Sequence, residues 1–131
     1  MKKDIHIPEV SNVEVAVVFE HNDLYKSDDW NVYIINKKEV AIEMVVIVSK
    51  GFDEKDQTSV MRKRIDLLPA NSFAKVELIQ PELFQLNNQF QVTFFEGNQL
   101  FDKTFTFPKN SIKEGNLRMI SSLKKRGILA K

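Results

Sequence analysis

The run that most constrains this chain is Trp30 to Phe52, WNVYIINKKEVAIEMVVIVSKGF, its most apolar stretch and one without Pro. A membrane-spanning helix needs roughly 20 consecutive apolar residues, and Lys37, Lys38 and Glu39 set three charges in the middle of this one. A soluble helix would group its apolar residues at three- and four-residue spacing. Here Trp30, Val32 and Ile34 alternate with Asn31 and Tyr33. Beyond the charges, Val40, Ile42, Met44, Val46 and Val48 keep the same beat against Ala41, Glu43 and Ser49. Period two, twice, around a polar turn predicts a β-hairpin.

The rest of the chain follows suit. Val13, Val15, Val17 and Phe19 alternate over 13–20, and 57–67 reads as a strand whose Arg62, Lys63 and Arg64 suit an edge or a solvated face. LPANS at 68–72 is turn chemistry, followed by Ala74, Val76 and Leu78 on one face of 73–79. Pro81 opens a short helical turn. Segments 89–95 and 100–107 form a hairpin through Glu96-Gly97-Asn98-Gln99. Ten Phe and only four Gly fit a pleated, packed surface. About seven strands without intervening helices predict an all-β, immunoglobulin-like antiparallel sandwich, with a closed barrel as the alternative. Expected core positions are Val15, Val17, Trp30, Val32, Ile34, Ile42, Met44, Val46, Val76, Leu78, Phe90, Val92, Phe94, Phe105 and Phe107.

At 131 residues the chain has the length of one domain, with a core over about 10–107 and a C-terminal extension over 108–131. From Ser111 onward six cations face the single acid Glu114, yet Ile112, Leu117, Ile120, Leu123 and Ile128 keep the segment too apolar for a free tail. Leu117, Ile120 and Leu123 with Gly127 behind them fit a short amphipathic helix, and an extended segment clipped along the sheet fits equally.

Composition excludes much chemistry. With no cysteine there is no disulfide, thiolate metal site or Cys nucleophile. A net charge of +1 supplies no global field for nucleic acid. Neither His6 nor His21 has a second ligand at metal-binding spacing, and the acidic stretch EHNDLYKSDDW, with Asp23, Asp28 and Asp29, lacks the glycine and spacing of a calcium loop. Gly-x-Ser-x-Gly and a Gly-rich phosphate loop are both missing. The expectation is no catalytic, cofactor or metal residue. The first ten residues, MKKDIHIPEV, break any signal-peptide pattern, so a cytoplasmic, non-membrane protein is expected.

Two surfaces could carry function. Opposite the main alternation lie further apolar residues, Val18, Tyr33, Ile35, Val45, Ile47 and Phe95, where a solvated sheet face should be polar. Something covers them: the C-terminal segment, a second copy, or a protein partner. Tyr33, Ile35, Val45, Ile47 and Phe95 are therefore the candidate interface. The other surface is basic: Arg62, Lys63 and Arg64 with Lys124, Lys125 and Arg126, beside aromatic Tyr33 and Phe95, would suit RNA.

The segments WNVYIINKKEVAIEMVVIVSKGF, PANSFAKVELI, LFQLNNQFQVTFF and NSIKEGNL with the closing GILAK together resemble a family of small bacterial proteins, over nearly the whole chain. Some members bear the label of the phenylalanyl-tRNA synthetase alpha subunit. This chain has none of the arginine-bearing ATP-binding motifs of a class II synthetase. The resemblance implies a β-sandwich in a bacterial setting, with no active site to carry over. The expected function is a non-catalytic interaction module, self-associating through a sheet face or edge; the alternative is an RNA- or tRNA-associated accessory protein using the basic C-terminal segment.

Overall fold

A computed structural model describes residues 8–131, so His6 lies outside the described residues. It contains nine strands: β1 (Val13–Asn22), β2 (Ser27–Asn36), β3 (Ile42–Phe52), β4 (Met61–Leu68), β5 (Ser72–Leu78), β6 (Asn87–Glu96), β7 (Gln99–Phe107), β8 (Arg118–Ile120) and β9 (Lys125–Leu129). They form two antiparallel sheets, ordered β5-β2-β1-β9-β8 and β4-β3-β6-β7. Strands β1, β2 and β5 face β3, β4, β6 and β7 across a shared core, which makes the fold an all-β sandwich. The two further strands come from the C-terminal extension, which is extended rather than helical and joins the first sheet beside β1. Pro81–Leu83 forms the expected short helical turn, and among the described residues no helix is long and apolar enough to cross a membrane.

The expected hairpin over Trp30–Phe52 is corrected. Both strands form, but β2 pairs with β1 and β5 while β3 pairs with β4 and β6, so the polar turn carries the chain from one sheet to the other. Asn36 holds this corner. It is fully buried, and its amide nitrogen reaches the carbonyls of Val40 (3.0 Å), Leu68 (3.2 Å) and Pro69 (2.9 Å). Its Oδ1 accepts the Lys38 N–H at 3.0 Å. A buried amide so satisfied fixes the geometry, because any displacement would strand its donors.

β3 also changes phase. Against β6, Glu43 pairs with Phe95 but Val46 with Thr93, leaving one extra residue in β3. Met44 sits there at φ 49°, a bulge that few side chains tolerate. Ile42 points into the core before it; Val45, Ile47 and Ser49 do so after it. This overturns the core assignment of Met44, which is 52% exposed, and of Val46, which is half-buried on the outer face. It also overturns Val45 and Ile47 as interface residues, because both are buried between the sheets. Leu78 is exposed for the same kind of reason: an irregularity in β5 inserts Val76, after which Leu78 pairs with Asn31 on the outer side. The remaining twelve expected core positions are buried.

The β6–β7 turn is tighter than expected. Glu96 pairs with Gln99, so Gly97 and Asn98 alone make the turn, and Gly97 takes φ 60°.

Candidate functional site

The apolar outer face of the β1–β2 sheet is covered by the chain itself. Ala16, Val18, Tyr33 and Ile35 form a second core with Ile120 and Leu123 from the β8–β9 hairpin. Tyr33 and Ile35, expected at an interface, are thus buried under their own C-terminal segment. Gly127 in β9 makes the approach feasible: a Cβ there would lie 2.7 Å from the Val17 carbonyl oxygen and 2.9 Å from Ile120 Cδ1. Phe95 is half-buried on the outer face of the other sheet, away from Tyr33 and Ile35.

A polar cluster closes the margin of this second core. Glu20 Oε2 accepts the Tyr33 hydroxyl (2.6 Å) and the Asn31 amide (2.9 Å), and Oε1 accepts Lys125 Nζ at 2.9 Å. Burial alone would favour protonated Glu20, but the hydrogen bonds from Tyr33, Lys125 and Asn31 outweigh it and hold the carboxyl below its ordinary value. Burial and the adjacent Glu20 carboxylate push the Tyr33 phenol upward. Lys125 is therefore committed to the fold, whereas Lys124 and Arg126 are exposed.

The opposite long edge is open. β4 ends one sheet and β5 the other, and among the described residues no strand pairs with the outer side of either. Several apolar side chains are exposed along it: Val60, Met61 (59% exposed) and Leu67 (51%) on or beside β4, with Phe73 and Leu78 on β5. Phe73 packs edge-on against Tyr33, so this margin continues the covered face. Arg62, Lys63 and Arg64 are exposed on the same edge. An unpaired edge strand presents a row of backbone donors and acceptors, and charges are the usual guard against indiscriminate pairing.

A cleft of about 280 Å³ opens between β3, β4 and β5, lined among others by Ser49, Thr58, Met61, Glu77 and Asn88. Its polar groups bond within the chain. Ser49 Oγ donates to Glu77 Oε1 across the two sheets (2.9 Å), Thr58 Oγ1 accepts the Gly51 N–H (2.8 Å), and Asn88 donates to the carbonyls of Leu83 and Leu86. Ser49 donates its proton to a carboxylate that has no histidine beside it in the cleft lining, so this is a cross-sheet tie rather than a nucleophile pair.

The two basic clusters expected to act together stand apart. Arg62, Lys63 and Arg64 are on β4 at the open edge, while Lys124, Lys125 and Arg126 belong to the β8–β9 hairpin at the other end of the opposite sheet. The acidic stretch is the β1–β2 hairpin end, where His21 Nδ1 bonds Asp28 at 2.9 Å and Nε2 lies 3.5 Å from Asp23. Among the described residues no cluster of three potential ligands could hold a metal.

Sequence reasoning missed the exposed Leu67, Phe73 and Leu78. The signal available was the charge run at 62–64, which marked the edge but not its apolar neighbours. No family model, curated protein or solved structure matches the chain.

Proposed function

We propose that the protein is a non-catalytic interaction module that docks an extended strand along its open β4/β5 edge. The observation that carries this reading is the exposure of Val60 beside β4, of Met61 and Leu67 on β4, and of Phe73 and Leu78 on β5, two edge strands whose backbones lack outer partners among the described residues. Strand addition takes its affinity from main-chain hydrogen bonds and its specificity from alternate side chains. The rest of the sandwich supports this edge: the corner at Asn36 ties β2 to the Leu68 and Pro69 carbonyls at the end of β4.

Peptides selected from a displayed random library against the intact protein test the reading. Binders are expected to be extended, and to lose affinity at least about tenfold when Met61→Lys and Leu67→Lys are combined. Both positions are exposed, so the fold should survive. Binders indifferent to that pair of substitutions would overturn the reading.

A second reading, an RNA- or tRNA-associated accessory protein, draws on the exposed cations Arg62, Lys63 and Arg64. It predicts single-stranded RNA affinity that falls steeply with salt and is reduced by Arg62→Ala and Arg64→Ala together. The separation of this cluster from Lys124 and Arg126 leaves it a short electrostatic footprint.

A further inference from the structure

Resting on the open-edge reading, we infer that the strand docked there is β4 of a second copy, paired antiparallel about a two-fold axis centred on Ile65. The order of charges along β4, MRKRIDLL, carries this inference.

A two-fold axis perpendicular to a sheet keeps each face on its own side, so opposed residues must share a face and the axis must pass midway between one residue and its own copy. The possible registers can then be compared by charge. Centred on Lys63, the strand sets Lys63 against Lys63 and Arg62 against the partner's Arg64. Centred on Arg64, it sets two guanidinium groups on the axis; centred on Asp66, two carboxylates. Like charges directly opposite one another destabilise a sheet. Centred on Ile65, the axis carries an apolar pair, and Arg64 meets the partner's Asp66 on both sides of it. Lys63 then lies against the partner's Leu67, which is exposed and can be covered by the lysine's aliphatic stem, and Arg62 lies opposite the backbone of the partner's buried Leu68. Among these centres only Ile65 opposes no like charges.

The local geometry suits this arrangement. Arg64 and Asp66 already project from one face, with Arg64 Nε 2.9 Å from Asp66 Oδ1, and their side chains are 63% and 85% exposed. Both are free to exchange an intrachain contact for an alternating ring of four charges. Ile65 packs on the main core and faces the interior side, so the apolar pair would extend that core across the axis. Joined this way, the two four-stranded sheets become one of eight strands, and the outer side of β4 gains a partner while β5 stays at the margin of the other sheet.

Sedimentation equilibrium of the intact chain is the test. Wild type should show a reversible monomer–dimer equilibrium. Arg64→Asp, which sets two acids against two acids, and Asp66→Arg, which does the same with cations, should each weaken it at least about tenfold. The double variant Arg64→Asp with Asp66→Arg restores the opposition of unlike charges and should recover dimerisation to within about threefold of wild type. A wild type that stays monomeric to roughly millimolar concentration overturns the inference. A dimer equally strong in all four chains overturns it too. A monomeric chain whose edge still binds the displayed peptides sinks the second copy alone; a monomeric chain whose peptides ignore Met61 and Leu67 sinks the open-edge reading as well.

Discussion

The sandwich finishes its two long edges in opposite ways. At one, the C-terminal segment ties the structure together: Ala130 donates to the Val15 carbonyl (2.9 Å), and Lys131 exchanges hydrogen bonds with Thr106 of β7 (2.9 and 3.1 Å), linking the two sheets and leaving only the three-residue β8 at the margin. At the other, β4 and β5 end in solvent with charges and apolar groups mixed. Both answer the problem of the unpaired strand. The first edge spends chain length on a cover; the second spends charge, and charge leaves the edge available to a partner of the right pattern. The apolar second face belongs to the closed side, which is why it is core and not interface.

The largest effect should come from removing the closure. A chain ending at Leu117 loses Ile120 and Leu123 from the second core, about 5 kcal/mol of burial at the usual 1.5–3 kcal/mol per large aliphatic side chain, and uncovers Ala16, Val18, Tyr33 and Ile35. It should melt far below wild type and aggregate, as read by calorimetry and light scattering. A truncated chain as stable as wild type would show that the two edges do not differ in kind.

Next comes the corner. Asn36→Ala leaves the Leu68, Pro69 and Val40 carbonyls without their buried donor and should cost about 3 kcal/mol in urea unfolding, given roughly 1–3 kcal/mol for each stranded polar group. Gly127→Ala forces a Cβ against Val17 and Ile120 on the closed edge, and overpacking of this kind costs about 2 kcal/mol. Hydrogen exchange should then speed up in β8 and β9 while β3 and β6 stay protected.

A pH titration sharpens the contrast further. Unfolded Glu20 takes up its proton near 4.5, and folded Glu20 only at lower pH. Its contribution is therefore complete above 4.5 and disappears as pH falls through the folded value. Glu20→Gln should flatten that part of the stability–pH curve, an effect localised to the closed edge. Smallest of all, Met61→Lys with Leu67→Lys should shift stability by less than about 0.5 kcal/mol, as exposed substitutions do. The open edge would then differ from the closed one in contributing little to folding.

Much of this architecture was legible beforehand, and the limits are informative. Alternation located the strands because a side chain's face follows from backbone geometry one residue at a time. It misled after two irregularities, at Met44 in β3 and at Val76 in β5, because one extra residue inverts the faces that follow: Val45, Val46 and Ile47 in the first case, Leu78 in the second. Tyr33 and Ile35 were correctly singled out as apolar residues needing a cover, and self-covering by the C-terminal segment was one of the answers named. The candidate edge was half-legible: Arg62, Lys63 and Arg64 announced it, but Phe73 and Leu78 join it from the other sheet, further on along the chain.

The sequence by itself determined that this is a β protein without cysteine chemistry, where most of its strands lie, and that its last twenty residues are too apolar to float free. Only the tertiary structure decided which strands pair. The turn at Lys37 to Glu39 could have closed a hairpin; it became a passage between sheets because Asn36 finds the carbonyls of Leu68 and Pro69, more than thirty residues away. A strand's face is a local property of the backbone, but its neighbour is chosen by contacts between segments distant in sequence, and no local pattern records that choice.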